Sequence, residues 1–397
     1  MGRVALRIFV VAPSAMLTDH RPHGDGLVAF GFIEELARRG HELHVAAGRV
    51  DLRGDVPPNV RLYPIGTDHP RKRERLRFMA RLRRTYRRAA ASTRLDLIHQ
   101  LTPVEVGVSL ALADAPVPVL LGPYVPDWAP LGEGADAVVS PASLRVKRAL
   151  RAAQQRRATT VLLSTPEAAV QLERTAGRRL HVRELPLGVD DRTWVPAGEE
   201  RRGQNVLFLA NLEVRKGIYV ILDAFARLAE EMPEARLLVA GGGPESGEVR
   251  RRVRTSPTLA RVELLGHVER DRVRAAMQAC DVYCLPSYGE PFGMTALEAM
   301  ACARPVVATD AGGLQYLVPD GGGRKVSPGD PAALATALRE LLGDAGLRRA
   351  MGSRNRALVE ERYAWPRVGD RLEDLYREAL RQPRRGPSPT AARRRKS

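Results

Sequence analysis

Short apolar runs alternate with amphipathic helical patterns along most of the chain. In the runs, apolar residues occupy successive positions, which is typical of strands buried on both faces of a parallel sheet. Seven predicted strands form a first series: Ala5–Ala12, Glu42–Ala47, Val60–Pro64, Asp96–His99, Val117–Leu121, Thr160–Ser164 and His181–Leu185. Five form a second series: Val206–Ala210, Arg236–Ala240, Arg261–Leu265, Asp281–Leu285 and Pro305–Ala308. Helical periodicity is clear in Val28–Arg39, Ile218–Glu230 and Asp330–Leu342.

Two successive series predict two doubly wound α/β domains. Glycine and proline interrupt the periodicity within Pro186–Pro196, so we place the domains at residues 1–187 and 188–362. Helical sequence continues over residues 363–381, and residues 382–397 form a basic tail that we predict to be disordered. Ligands of open α/β sheets bind beyond the carboxyl ends of the strands, and two facing sheets would form a cleft.

The segment Pro286–Met300 contains the densest candidate ligand contacts. It follows a predicted strand and enters a helix, whose first N–H groups are available to an anion. Glu290 lies on the loop and Glu298 on the helix, where carboxylates can accept hydrogen bonds from sugar and ribose hydroxyls. Gly293 lets a ligand approach the backbone closely. The alternative is that Glu290 is solvated and Glu298 makes a local cap.

Cations and glycines follow two other strands of the second series. Arg215 and Lys216 come at a predicted helix start, where the dipole disfavours a cation unless an anion such as a diphosphate lies there. The alternative is a solvated basic pair. The segment Gly241–Glu245 allows close backbone approach to a ligand or a tight turn, and it matches neither a dinucleotide motif nor a P-loop.

Two further candidates lie in the first domain. Gly24–Ala29 fits the GxGxxA pattern, but about ten residues separate it from the first strand, so we predict a glycine-rich loop containing Gly24 and Gly26. His99 ends a strand and is either a cleft residue or a hydrogen-bonded structural histidine. The sequence has no G-x-S-x-G, H-E-x-x-H or D-x-D motif, so no metal site is predicted.

Charge is distributed unevenly along the 397 residues, which carry a formal net charge of +17. The segment Arg71–Arg94 holds eleven basic residues against one acidic, and residues 381–397 hold seven basic residues and no acidic residue. An excess confined to two segments argues against a protein that coats nucleic acid. Leu76, Met79, Leu82 and Tyr86 share helical spacing within the first segment, so this helix either lies on an anionic membrane surface or packs on the core.

Compartment is indicated by the cysteines and by the first residues. Cys280, Cys284 and Cys302 form no CxxC pair, which fits a reducing compartment. Met1–Ala12 is a short apolar run with embedded arginines, which predicts a buried strand rather than a signal peptide. No apolar run is long enough to span a membrane. We expect a cytoplasmic protein, with peripheral attachment to the inner membrane face left open by the Arg-rich segment.

In this order, the segments resemble the retaining family-4 glycosyltransferases of the GT-B fold. Glu290-Pro-Phe-Gly followed by Glu298 resembles the E-x7-E signature. Supporting matches are Arg215-Lys216-Gly217, Gly241-Gly-Gly-Pro244, Leu265-Gly-His267, Pro305-Val-Val-Ala-Thr309 with Gly312-Gly313, and Leu187-Gly-Val-Asp190. The resemblance implies two Rossmann-like domains, a last helix that returns to the N-terminal domain, a nucleotide-diphosphate sugar as donor, with UDP expected, and no metal or other cofactor.

The resemblance also implies residue roles. Lys216 would bind the diphosphate, Glu290 the sugar hydroxyls and Glu298 the ribose. The remaining donor contacts would come from Gly243, from the backbone of His267 and Val268 near the base, and from backbone amides of Phe292, Gly293 and Met294. Gly24 and Gly26 would lie on the acceptor side.

Two positions depart from the family pattern. Asn211 stands where the family commonly has a phosphate-binding arginine, for which Arg215 is the candidate replacement. Gly122-Pro-Tyr124 stands where many members have a histidine, which leaves His99 as the candidate catalytic histidine.

The predicted function is metal-independent, hexosyltransferase-type transfer to a glycolipid, polysaccharide or small-molecule hydroxyl, with Glu290, Lys216 and His99 as catalytic candidates. The favoured mechanism is a same-face displacement in which the leaving phosphate helps to deprotonate the acceptor. The alternatives are a GT-B nucleotide-sugar epimerase or hydrolase, and a nicotinamide-dependent oxidoreductase that would use the Gly24 motif. No nucleic-acid partner is expected.

Overall fold

The structure is a computed structural model that describes residues 4–21, 24–66, 72–127, 141–173, 180–197 and 203–382. The chain divides into two compact units, each built on one sheet. The first unit comprises Met1–Val125, Val138–Gly188 and Val368–Ser397, and the second comprises Pro126–Ala137 and Val189–Arg367. Both sheets are parallel and helices pack against them, which confirms the predicted pair of doubly wound α/β domains. The predicted disordered tail, residues 382–397, lies outside the described residues apart from Gln382.

The sheet of the first unit has seven strands in the order β3-β2-β1-β4-β5-β6-β7. The strands are β1 (Arg7–Thr18), β2 (Glu42–Asp51), β3 (Val60–Pro64), β4 (Leu97–Gln100), β5 (Val119–Tyr124), β6 (Thr160–Leu163) and β7 (Val182–Glu184). Its helices are α1 (Gly24–Arg38), α2 (Lys72–Ser92) and α3 (Pro141–Arg157). Central strands such as β4 are buried at every position, because helices cover both faces of the sheet.

The sheet of the second unit has six strands in the order β10-β9-β8-β11-β12-β13. The strands are β8 (Asn205–Leu209), β9 (Arg236–Ala240), β10 (Val262–Gly266), β11 (Val282–Leu285), β12 (Val306–Thr309) and β13 (Gly323–Val326). The helices that follow are α4 (Ile218–Glu231), α5 (Ser246–Thr255), α6 (Arg270–Ala279), α7 (Met294–Ala301), α8 (Leu314–Leu317), α9 (Pro331–Gly343), α10 (Ala345–Leu358) and α11 (Trp365–Arg381).

Helix α1 begins four residues earlier than its apolar periodicity predicts. Gly24 and Gly26 therefore lie in its first turn, and the predicted glycine-rich loop is wrong at these two positions. Asp25 also lies in that turn, where a carboxylate complements the positive end of the helix dipole. The polar first turn extends the helix beyond the apolar stripe from which the prediction was made.

Helix α2 packs its apolar stripe on the core of the first unit. Phe78, Leu82 and Tyr86 are buried there, and the Tyr86 ring meets Phe9 edge-on with centroids 5.2 Å apart. Leu76, which was predicted to share this face, is 73% exposed. Of the two alternatives for the Arg-rich segment, the structure thus shows the stripe turned to the core.

Helix α11 attaches the end of the chain to the first unit through polar contacts. Arg39, whose side chain is 2% exposed, pairs with Asp370 at 2.8 Å. His41 pairs with Glu373 at 3.2 Å, also in a buried position. A buried charge is tolerated only when it is paired, so these contacts specify where α11 docks.

Candidate active site

The loops that follow neighbouring strands of the second sheet meet at its carboxyl edge. Strands β8 and β11 pair directly, although their loops are far apart in sequence. Lys216, after β8, places its Nζ 2.7 Å from Oε2 of Glu290, after β11. The two side chains are only 16% and 11% exposed. The structure therefore joins the cation and the loop carboxylate that the sequence nominated separately.

Backbone contacts hold these two loops together. The carbonyl of Arg215 accepts hydrogen bonds from the Tyr288 N–H at 2.9 Å and from the Ser287 hydroxyl at 3.1 Å. Gly217 has φ +78°, and a Cβ there would lie 1.9 Å from the carbonyl oxygen of Pro286. Glycine is thus required for the close approach that brings Lys216 to Glu290.

Helix α7 begins directly beside this pair. Gly293 immediately precedes the helix and has φ +97°. Because glycine has no side chain, it leaves the first N–H groups of α7 without a side-chain cap. Phe292 is buried and its ring lies 6.4 Å from that of Tyr363. The loop of Glu290 is held from the other side by the Gly313 N–H, which donates to the Glu290 carbonyl at 2.6 Å.

Glu298 lies on α7, about one and a half turns beyond the glycine. It is partly buried. Desolvation raises its pKa from 4.5 to about 7, while the positive charge of Arg270 acts in the opposite direction. At neutral pH this carboxyl group therefore exists in both its protonated and its ionised form, and either form can hydrogen-bond a diol.

Two polar residues beside Lys216 share one carboxylate that sequence reasoning missed. Glu213 lies 3.4 Å from the Arg215 guanidinium and accepts from the Asn211 amide at 3.5 Å. Arg215 is therefore part of a local ion pair at the surface. The sequence signal for this contact was the position of Glu213 between Asn211 and Arg215, within a segment of five residues.

Sheet order arranges the other predicted donor contacts in a row. His267 and Val268 follow β10, Gly243 follows β9, Lys216 follows β8 and Glu290 follows β11. The Leu212 N–H donates to the Gly242 carbonyl at 2.9 Å, which fastens the glycine segment to the Lys216 loop. His267 is exposed at the outer end of the row.

His99 lies in the interior of the first unit and makes two hydrogen bonds there. Its Nε2 lies 2.8 Å from the Gly122 carbonyl and its Nδ1 2.7 Å from the Tyr376 hydroxyl. A carbonyl only accepts, so Nε2 carries the proton and Nδ1 accepts from the phenol. Burial lowers the pKa of His99 to about 4. This is the geometry of the structural histidine that the sequence left as the alternative, and it does not support a catalytic role.

In the part of the chain that the structure describes, no group of three or more His, Cys, Asp or Glu side chains could hold a metal ion. Among the described helices, none is both long and apolar enough to cross a membrane. The three cysteines are buried and unbridged.

Solved structures of other proteins share the two-sheet architecture. A sucrose-phosphate synthase from Thermosynechococcus elongatus has a TM-score of 0.71 and 23% identity over 94% of this chain and 98% of its own. The Anabaena protein Alr3699/HepE, solved with UDP, has a TM-score of 0.71 and 21% identity over 94% of this chain and all of its own. At these identities the likeness establishes the GT-B fold.

Two family models match successive parts of the chain. Glycosyltransferase Family 4 matches residues 24–193, and Glycosyl transferases group 1 matches residues 203–344. Together the two models span more than half of the chain. The chain therefore belongs to the family 4, group 1 glycosyltransferases. A phosphatidyl-myo-inositol mannosyltransferase of Mycobacterium leprae is 38% identical over 200 residues, 49% of this chain and 52% of the relative. The alignment thus spans about half the length of this curated relative.

Proposed function

We propose that the protein is a retaining glycosyltransferase that takes a sugar from a nucleotide-diphosphate donor bound by the second unit. The observation that carries this proposal is the Lys216–Glu290 pair at the carboxyl edge of β8 and β11. A cation for a phosphate and a carboxylate for sugar hydroxyls stand in contact there. This is the expected ligand position in an open α/β sheet.

The row of loops supports an orientation for the donor. With the diphosphate at Lys216 and the sugar at Glu290, the nucleoside would extend past Gly243 towards His267 and Val268. Glu298 would bind the ribose. UDP is the proposed carrier, and the structure of HepE with UDP supports this choice.

The proposed mechanism follows from charge development. Breaking the anomeric bond leaves negative charge on the diphosphate and positive character on the sugar. The Lys216 ammonium and the N–H groups at the start of α7 would stabilise the leaving group, in the role that a metal ion can fill elsewhere. The acceptor hydroxyl would attack from the same face and transfer its proton to the phosphate. Arg215 would add charge where Asn211 supplies none.

The acceptor is proposed to be a hydroxyl of an anionic lipid, with the enzyme at the inner face of the membrane. The relative's name specifies phosphatidyl-myo-inositol. On the surface of α2, Arg77, Arg84, Arg87 and Arg88 are exposed, opposite the apolar stripe. Each would contribute about 1 kcal/mol near an anionic surface. Sedimentation with vesicles containing phosphatidylglycerol tests this, and binding unchanged by Arg84→Ala with Arg88→Ala would contradict it.

The test of the transferase proposal combines a ligand screen with transfer assays. UDP, GDP, TDP and ADP sugars are compared by thermal shift, because a ligand of the native state raises the unfolding temperature. With the donor found, Lys216→Ala is expected to lower transfer by about 100-fold or more. Lys325→Ala is the matched control, a lysine of the same unit paired with Asp320. Equal rates for both variants would contradict the proposal.

Product analysis separates the alternative activities. A glycosylated acceptor with retained anomeric configuration supports the transferase. Release of free sugar, or an epimerised nucleotide sugar with no acceptor consumed, would favour the hydrolase or epimerase instead.

A further inference from the structure

We propose that Tyr283, Thr295, Ser287 and Thr309 are positioning residues whose hydroxyl groups hold the Lys216 loop, the Glu290 loop and helix α7 in catalytic register. This inference rests on the proposed transferase function of the same site. Tyr283, Ser287 and Thr309 are fully buried, and Thr295 is partly buried.

The first connection runs through the phenol of Tyr283 in β11. Its hydroxyl oxygen lies 3.1 Å from the Leu209 carbonyl and 2.7 Å from the Thr295 hydroxyl. Since a carbonyl only accepts, the phenol donates to Leu209 and accepts from Thr295. Leu209 ends β8 and Thr295 lies in the first turn of α7. One buried hydroxyl therefore joins the strand that leads to Lys216 with the helix that carries Glu298.

Burial keeps this phenol in its donor form. Desolvation raises the pKa of Tyr283 well above its ordinary value. The Glu290 and Glu298 carboxylates also raise it. The hydrogen bond to Leu209 is thus present throughout the pH range in which the enzyme would work.

The second connection runs through Ser287 on the Glu290 loop. Its hydroxyl donates to the Arg215 carbonyl at 3.1 Å, one residue before Lys216. Its own carbonyl accepts from the hydroxyl of Thr309, at the end of β12. Ser287 is therefore held on both sides, and the ends of β8, β11 and β12 are linked.

A buried hydroxyl group is unfavourable unless it is hydrogen-bonded, so the presence of several such groups here points to a positioning role. Phenylalanine, alanine or valine would fill the same interior space without a polar group that needs a partner. Here every hydroxyl bonds a loop or helix start beside Lys216, Glu290 or Glu298. Misplacing a catalytic group by about 1 Å can lower a rate by about 100-fold, so small shifts of these loops matter to the reaction.

The test compares variants that differ only in a hydroxyl group. Tyr283→Phe and Thr309→Val are expected to lower kcat by about 10-fold or more with donor KM changed less than 3-fold, because the transition state is more sensitive to position than ground-state binding. Thr309→Ser is expected to restore kcat. Thr336→Val is the matched control, because this exposed hydroxyl of α9 bonds the Ala332 carbonyl of its own helix, away from the site loops.

Amide hydrogen exchange gives a readout that needs no turnover. Tyr283→Phe and Thr309→Val should speed exchange in peptides covering residues 209–217 and 286–298, and Thr336→Val should not. Wild-type kcat and exchange in both variants would overturn the inference, as would a Thr309→Ser variant as slow as Thr309→Val. If the wild-type enzyme transfers no sugar, the proposed function fails, and faster exchange in these peptides still supports the positioning role.

Discussion

Replacing Glu298 with glutamine removes from the second unit a carboxyl group whose pKa is raised by burial. Burial raises the pKa of this carboxyl group to about 7 from 4.5. The folded unit therefore holds the proton more tightly than the unfolded chain. The contribution of Glu298 to folding stability is therefore most favourable below about pH 4.5, becomes less favourable as the pH rises towards 7, and is constant above that. The carboxyl group costs stability wherever it is ionised.

The magnitude follows from the two pKa values. Each tenfold difference in proton affinity corresponds to about 1.4 kcal/mol, so the penalty at pH 8 is about 3 kcal/mol. Glutamine has nearly the same shape and never ionises. Glu298→Gln should therefore unfold with nearly the wild-type free energy at pH 4.5 and exceed it by about 3 kcal/mol at pH 8.

His99 produces the opposite dependence in the first unit. Its pKa falls from 6.5 to about 4 on burial, so the stability of that unit declines as the pH falls from 6.5 towards 4. The two effects oppose each other over the same range. The pH profile of the wild type alone is therefore uninformative, and the difference between wild type and variant must be measured.

Urea unfolding at pH 4.5, 6, 7 and 8 measures this difference, with fluorescence of the buried Trp194 reporting on the second unit. Glu263→Gln, which replaces an exposed carboxylate of β10, is the control for the same chemical change at a position outside the interior. A Glu298→Gln difference that is the same at all four pH values would refute the argument. It would mean that Glu298 titrates alike in the folded and unfolded chain.

Three further predictions concern packing and pairing. Lys216→Met and Glu290→Gln should be non-additive in urea unfolding without donor, with a coupling of about 1–3 kcal/mol, because each single variant already removes the charge–charge contact between the two side chains. Additive effects would show that the pair does not interact. His99→Phe should destabilise the first unit by about 2–4 kcal/mol, because the Gly122 carbonyl and Tyr376 hydroxyl lose their partner, yet calorimetry should find donor affinity unchanged. Gly217→Ala should lower the urea midpoint strongly, since its Cβ would strike Pro286, whereas Gly242→Ala, with nothing within 4 Å, should not.

The apolar runs predicted some strands at both ends and missed one strand altogether. The predicted Arg236–Ala240 and Val60–Pro64 agree with the structure at both ends. Strand β13, Gly323–Val326, was missed because this edge strand is only partly buried and contains Arg324 and Lys325. The face of α2 was misjudged at Leu76 because helical spacing shows which residues share a face but not where the core ends along the helix.

The candidate site was predictable as separate segments. Residue types and their places after strands identified Lys216, Glu290 and Glu298, because chemistry of this kind needs cations, carboxylates and glycines beyond strand ends. Tyr283, Ser287 and Thr309 escaped notice, since a hydroxyl in an apolar run gives no sign of its partner. Glu213 was missed although it lies between Asn211 and Arg215, the two residues that it contacts.

By itself, the sequence determined the class of fold, two α/β units, and the residue types offered at each strand end, because burial periodicity and turn chemistry are local properties. Only the tertiary structure decided which strand ends are neighbours. The order β10-β9-β8-β11-β12 joins Lys216 to Glu290 across 74 positions. It also assigned His99 to the interior and the apolar stripe of α2 to the core. These outcomes depend on which surfaces exclude water together, and that is a property of the packed chain rather than of any segment.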